Sequence, residues 1–252
     1  MTAFKDHFSG HAVDYAKFRP SYPPELFDYL ASISQEHERA WDCGTGNGQA
    51  AAGLAERFAK VIATDASAQQ IQSAQPHPRI SYRVAPAEAS GIDPNSVDLI
   101  LVAQALHWFD MDGFFTEAKR VSKEAGILAV STYVHVSVDP EIDAIVSKFY
   151  RETTGPYWPP ERELVETNFR RIDFPFAELP ARQFEMWQQW NLDQLTGYLR
   201  TWSATKKFIA ARGFDPVDSL MQELGGVWGD CDRARQVNWP LQLRTFRVQT
   251  EK

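Results

Sequence analysis

Trp41-Asp42-Cys43-Gly44-Thr45-Gly46-Asn47-Gly48 places three glycines at alternate positions behind an aspartate. Glycine loses more backbone freedom on folding than any other residue, so three so close together need a reason. A tight turn without a ligand needs only one. A phosphate loop needs Gly-Lys-Ser/Thr, but Gly48 is followed by Gln49. A dinucleotide fingerprint needs a glycine three places after the second, and that place is also Gln49, which weakens a nicotinamide reading without removing it. Asp42 would repel a pyrophosphate. It suits a ligand that carries an ammonium or a sulfonium.

The elements around the loop decide what it can do. Arg39-Ala-Trp-Asp-Cys43 is a short apolar run before the glycines, and Gln49–Ala59 has helix-forming composition with apolar positions at helical spacing. Lys60–Asp65 reads as a buried strand ending on Asp65, and Ser67 as the N-cap of a short helix. Arg79–Ala85 is strand-like. Ser96–Gln104 is the continuous apolar run of a central parallel strand, Met111–Lys123 an amphipathic helix, and Glu124–Val134 a strand opening on a glycine turn. Strands interleaved with helices imply right-handed crossovers and a parallel sheet covered on both faces. The loop then lies at the carboxyl edge of that sheet, at a helix N-terminus.

After Val138 the pattern changes. Asp139–Glu152 is helical, Thr153–Glu163 is rich in proline and aromatic residues, and Asn191–Gly213 reads as a long helix or a helix pair. Arg182–Trp190 and Val237–Gln249 read as a closing antiparallel hairpin with helices inserted inside and ahead of it.

The chain has 252 residues, 44% hydrophobic and 23% charged, with a net charge of −7. This is an ordinary globular balance, and the acidity argues against a nucleic-acid backbone as partner. Cys43 and Cys231 are the two cysteines, too few for a disulfide framework or a Cys-based zinc site, so reduced thiols and a cytoplasmic location are expected. The histidines have no metal-ligand spacing, and no metal is expected. The N-terminus lacks the apolar core of a secretory signal, and Val97–Phe109 is too short and interrupted to span a bilayer, so no membrane association is expected.

The Asp42-x-Gly44-x-Gly46-x-Gly48 motif resembles motif I of the class I S-adenosylmethionine-dependent methyltransferases of the small-molecule type, in the methyltransferase type 11 group. Asp65, with Ala66 beside it, lies where that family places the acid that grips the ribose diol. Ala87-Glu88-Ala-Ser-Gly-Ile-Asp resembles the segment lining the adenine, and Gln104-Ala-Leu-His107-Trp108 the segment after the fourth strand, at the methyl end of the donor. Tyr15-Ala-Lys-Phe-Arg19-Pro-Ser-Tyr-Pro is similar to the N-terminal cap of the trans-aconitate methyltransferase subgroup, where Arg and Tyr face the methionine end. The matched segments run from about Tyr15 to Tyr133. One position departs from the pattern. Pro86 stands where the family often has an acid for the adenine amino group, which leaves that contact to the Ala87 backbone or to Glu88. Glu88 reads equally well as a solvated residue at a helix start.

The resemblance implies S-adenosylmethionine as cofactor. Asp42, Gly44, Thr45 and Gly46 would surround its methionine part, Arg19 would pair with its carboxylate, and Tyr15, Asp65, Ala66, Ala87, Glu88 and Gln104 would complete the site. Methyl transfer is an in-line displacement governed by alignment and desolvation, and a carboxylate acceptor needs no base. A hydroxyl or amine acceptor needs one, and His107 is the candidate, although the related enzymes carry glutamine there. Trp108, Tyr133, Trp158 and Trp202 are the expected acceptor walls. The other large aromatics of the second half, Tyr157, Trp187, Trp190 and Tyr198, are expected to build the lid's own core. Arg151, Arg162, Arg200 and Lys206 could attract an acidic acceptor, but helix charges are mostly solvated.

The fold expected is α/β, a Rossmann-like three-layer sandwich with a seven-stranded mixed sheet of order 3-2-1-4-5-7-6. One domain spans 1–252: an N-terminal helical cap (1–35), a cofactor-binding core (36–134), lid helices with the sixth strand (135–236) and the last strand (237–252). The expected function is methyl transfer to a small molecule, a carboxylic acid among the candidates, by a monomer or homodimer without a nucleic-acid partner. The alternatives are a non-catalytic module binding S-adenosylmethionine or S-adenosylhomocysteine, and an NAD-dependent oxidoreductase.

Overall fold

The computed structural model describes residues 18–249. Helix α1 (Pro24–Ile33) leads into β1 (Arg39–Cys43), and α2 (Gln49–Ala55), β2 (Lys60–Asp65), α3 (Ala68–Gln72), β3 (Ile80–Val84), β4 (Val97–Ala103), α4 (Met111–Val121) and β5 (Ser122–Thr132) follow. The second half adds α5 (Pro140–Lys148), a wide turn of helix at Phe149–Thr153, α6 (Arg162–Glu166), the two-residue β6 (Ala177–Glu178) and β7 (Arg182–Trp190). Helices α7 (Leu192–Arg200), α8 (Ser203–Arg212) and α9 (Val217–Trp228) then precede the long β8 (Arg235–Arg247).

Strands β3, β2, β1, β4 and β5 lie side by side in parallel, and β8 closes the sheet antiparallel to β5. Along the outer edge of β8, β6 pairs at Phe246–Arg247 and β7 at 235–243. Apart from the two-residue β6, this is the expected order 3-2-1-4-5-7-6, with β7 and β8 as its sixth and seventh strands. The closing hairpin and the helices inside it are also as expected.

The residues of β1 alternate between two cores. Ala40 joins the layer with α1, α2 and the lid helices, while Trp41 joins the layer with Phe114 and Phe115 of α4. Trp41 is fully buried and donates its indole N–H to Thr64 Oγ1 at 2.9 Å, so its one polar atom is satisfied. Ser67 caps α3 by accepting the Gln70 amide, as expected. The turn at the start of β5 differs from the expected one. The left-handed residue there is Ala125, at φ 60°, and not Gly126.

Sequence patterning missed three elements. Helix α9 buries Val217, Leu220, Leu224 and Trp228, a helical spacing that Gly225 and Gly226 interrupt. Helix α6 begins at the end of the proline-rich stretch, and β6 has only two residues. Cys43 is buried and Cys231 exposed, both as free thiols. No helix among the described residues is long and apolar enough to cross a membrane.

Candidate active site

Parallel register brings the carboxyl ends of β1, β2 and β4 to one edge, since Cys43 pairs with Thr64, and Ala40–Asp42 pair with Leu99–Leu101. The connections leave β1 and β4 in opposite directions across the sheet, which opens a crevice above their ends. The glycine loop fills one side of it. Gly44, Gly46 and Gly48 all adopt left-handed φ, at 73°, 57° and 88°. A Cβ on Gly44 would stand 2.5 Å from Ala105 Cβ and 3.1 Å from Phe109 Cζ. One on Gly48 would meet the Tyr82 ring, with Cε1 2.9 Å away. Only Gly46 is open, its nearest neighbour being Gln70 Oε1 at 3.8 Å. Two of the three glycines are therefore required by the protein's own packing as well as by φ, and Gly46 alone leaves bare backbone clear for a ligand.

Two aspartates lie beneath and beside this loop. Asp65 Oδ2 accepts the Gly46 amide at 2.9 Å and Oδ1 accepts the Ser67 amide at 2.8 Å, so the end of β2 ties the loop to the start of α3. Ala66 lies between Asp65 and Ser67 in this turn. Asp42 is wholly buried. Thr45 Oγ1 donates to its Oδ2 at 2.5 Å, while Oδ1 completes no regular hydrogen bond. Burial pushes the Asp42 carboxyl up to about 7, against the lowering effect of Thr45 and of the nearby Ala51 amide. A buried carboxylate with an unpaired oxygen under a loop fits a cationic ligand group above it, and in this respect the residues suit an aminoacyl-sulfonium donor.

The opposite wall comes from the segment after β4. Gln104 holds a left-handed φ of 59°, unusual for a residue with a side chain. Its side chain is clamped, with Nε2 donating to the Tyr133 carbonyl at 2.8 Å and Oε1 accepting from Thr132 Oγ1 at 3.0 Å. Backbone strain held in place by such bonds is typical of a functional edge. Glu88 Oε1 accepts the Asp110 amide at 2.9 Å, just ahead of α4, and Ala87 is buried. Among the described residues, Arg19 Nη1 donates to the Tyr133 hydroxyl at 3.2 Å and its guanidinium lies over the Tyr198 ring at 5.4 Å. Tyr15 lies outside the described residues.

A cavity of about 590 Å³, open mouth included, occupies the space between this wall and the lid. Arg19, Gln104, His107, Trp108, Tyr133, Trp158 and Trp202 all line it, so seven of the expected site residues meet there. Arg162 and Tyr198 line it as well. From sequence, Arg162 is a candidate for attracting an acidic acceptor, and Tyr198 is expected in the lid core. Tyr198 is both, since it is buried and packs on Trp202 and Trp239. The Trp158 and Trp202 rings, 5.6 Å apart, likewise serve the lid core and the cavity wall together. Trp187 does neither and is 51% exposed. No side chain signals from sequence that Tyr198 reaches the cavity, because its position depends on α7 folding across the sheet edge.

His107 stands in a one-turn helix against Trp108, with ring centroids 4.5 Å apart. Its Nδ1 is buried without a hydrogen-bond partner. Desolvation, reinforced by the Arg162 charge, pulls the imidazole down to about 3. It is neutral at any ordinary pH and a weak base, able to give or accept a hydrogen bond but poorly suited to removing a proton from a hydroxyl.

Comparison with known proteins agrees with this architecture. The family model described as a methyltransferase domain matches residues 41–130, the stretch from the glycine loop through β5. A protein named as a methyltransferase in Dictyostelium discoideum is 32% identical over 249 residues, 96% of this chain and 95% of that protein. A solved structure described as a type II methyltransferase from Anaeromyxobacter dehalogenans superposes with a TM-score of 0.88 at 43% identity, covering 93% of this chain and all of the other. A Mycobacterium tuberculosis protein named as a methyltransferase is 36% identical over 117 residues, about half of each chain. With that fold, this loop and relatives aligned over nearly their whole length, the chain belongs to the class I S-adenosylmethionine-dependent methyltransferases.

Proposed function

We propose that this methyltransferase acts on a small molecule and that the acceptor is a carboxylic acid, converted to its methyl ester in the cavity beneath the lid. One observation carries this reading: beyond Arg19, which the donor's carboxylate would occupy, the cavity is lined by a second guanidinium, Arg162, and by no carboxylate among its described residues. A guanidinium left over among aromatic walls, with no acid lining the same space, recruits an anion.

The donor, when bound, supplies an activated methyl group on a sulfonium. Asp65 would hold the ribose diol, Ala87 and Glu88 would border the base, and Gly46 would let the aminoacyl part pass close to bare backbone. Asp42, buried below, would offset the ammonium, and Arg19 would take the amino-acid carboxylate. An ionised carboxylate acceptor needs no general base, which agrees with the weak basicity of His107. Reaction of a carboxylate with a sulfonium brings opposite charges together and cancels them. Exclusion of water by Trp108, Trp158 and Trp202 therefore lowers the barrier. The remaining contribution is alignment, supplied by rigid walls rather than by a catalytic triad.

The test is incubation with methyl-labelled S-adenosylmethionine and a panel of small carboxylic acids, phenols and amines. Base-labile labelled esters are the expected product. Label transferred to phenols or amines while the acids stay unlabelled would overturn the carboxylate reading, and donor binding without any product would favour a non-catalytic binding module.

A further inference from the structure

The role of Arg162 follows from how it is held. Its Nε donates to the Tyr150 hydroxyl at 3.0 Å and its Nη2 approaches the Val134 carbonyl at 3.4 Å. The guanidinium lies 4.6 Å from the centre of the Trp158 ring and 5.6 Å from that of Tyr150. The Tyr150 hydroxyl in turn donates to Glu166, so that carboxylate reaches Arg162 only through a phenol. Among the described residues, no carboxylate forms an ion pair with Arg162 and Nη1 donates no hydrogen bond. This differs from the arginines of the outer lid, where Arg200 bonds both Asp215 and Asp218.

A half-buried cation set on an indole face and kept off its neighbouring acid by a bridging tyrosine is an anion site with its anion missing from the protein. From this we infer that Arg162 is the specificity-determining residue for the acceptor: it binds the acceptor's anionic group at the lid side of the cavity, held in place there by Trp158 and Tyr150. This rests on the methyl-transfer reading, and it adds the residue that selects the acceptor. Arg162 acts here in a fixed orientation, because stacking on Trp158 and the bond to Tyr150 leave one edge of the guanidinium for the ligand. His107, close enough to feel the Arg162 charge, supplies a neutral hydrogen-bond partner on the same wall.

The experiment is calorimetric titration of the full chain, saturated with S-adenosylhomocysteine, with benzoate and trans-cinnamate and with the matching amides, benzamide and cinnamamide. The wild type should bind each acid about tenfold or more tightly than its amide, as expected of a charge-assisted bidentate pair. Arg162→Gln should bring the ratio near one while leaving the affinity for S-adenosylhomocysteine unchanged. Arg162→Lys, which keeps the charge but loses the planar stacked fork, should fall between, and provides the answer if the glutamine variant does not fold. Equal binding of acid and amide by the wild type, no saturable binding of either acid, or an acid preference that stays undiminished in both variants would overturn the assignment. Failure of S-adenosylhomocysteine to bind the wild type is a separate result, against the donor site and not against Arg162.

Discussion

Asp65 Oδ2 accepts the Gly46 amide at 2.9 Å, across the crevice edge that separates β2 from β1. The carboxylate expected to grip a ligand diol is therefore also the clasp of the loop that faces the ligand. Asp65→Ala removes the amide bonds to Gly46 and Ser67 along with the proposed diol contact. A hydrogen bond to a charged group is worth about 1.5–3 kcal/mol, so loss of two contacts to the donor weakens its affinity roughly 100-fold or more. The free protein should also lose about 1–3 kcal/mol of stability, because two part-buried amides lose their partner. Asp65→Asn keeps an acceptor oxygen for one amide, so it should recover part of the stability but little of the affinity. Calorimetry for binding and urea unfolding for stability separate the two roles. Unchanged donor affinity in both variants would remove Asp65 from the ribose site.

Asp42 makes stability fall as the solution becomes more alkaline. Its folded-state value of about 7 lies above the unfolded value of 3.8, so the native state binds the proton more tightly. Between these values the native state holds more protons than the unfolded chain, and stability decreases with pH until Asp42 is ionised in both. The difference corresponds to roughly 4 kcal/mol. Asn at this position cannot titrate. The gap in unfolding free energy between wild type and Asp42→Asn should therefore shift in favour of the variant by about 3–5 kcal/mol from pH 4 to pH 8. Denaturant titrations at pH 4, 6 and 8 measure it, and a constant gap would mean that Asp42 is ionised throughout that range.

Much of this site was readable because its signals are local. Asp65 ends an apolar run, Ser67 follows as a cap, and the glycine loop punctuates the strand-to-helix turn, all within about 25 residues in a parallel sheet whose order follows from βαβ handedness. The closing hairpin was readable for the same reason, since β7 and β8 each alternate along their own length. What could not be read depends on contacts between distant segments. Gly48 is needed because Tyr82 of β3 packs against it, and no pattern near residue 48 reports that. Arg162 belongs to the cavity because Tyr150 and Trp158 hold it there, while charge on a five-residue helix ordinarily points to solvent. Helix α9 escaped because adjacent glycines blunt its helical signal, although Val217, Leu220, Leu224 and Trp228 carry the spacing.

His107→Gln tests whether proton removal belongs to the reaction. With the imidazole near 3, the residue is neutral from about pH 5 upward and contributes no ionisation to the rate profile in the usual assay range. Glutamine offers a hydrogen-bond donor and acceptor of similar reach. The variant should keep kcat/KM within roughly tenfold of wild type and an unchanged dependence on pH between 6 and 9. An acidic limb in the wild-type profile that is lost in the variant would identify His107 as the base and point to a hydroxyl or amine acceptor in place of a carboxylate.

The contrast between Gly46 and Gly48 separates backbone strain from side-chain crowding. Both adopt left-handed φ, which costs a residue with a Cβ about 1–2 kcal/mol. At Gly46 the added methyl meets open space, so Gly46→Ala should cost only that much in the free protein and should show its larger effect in donor binding. At Gly48 the methyl also runs into Tyr82, and overpacking adds about 1–3 kcal/mol. Gly48→Ala should therefore be the more destabilising of the two, by urea unfolding. Combining it with Tyr82→Ala removes the collision but not the strain. The double variant should lose less than the sum of the two single losses, with a coupling of about 1–3 kcal/mol. Additive losses would show that Tyr82 yields without cost and that φ alone demands glycine at position 48.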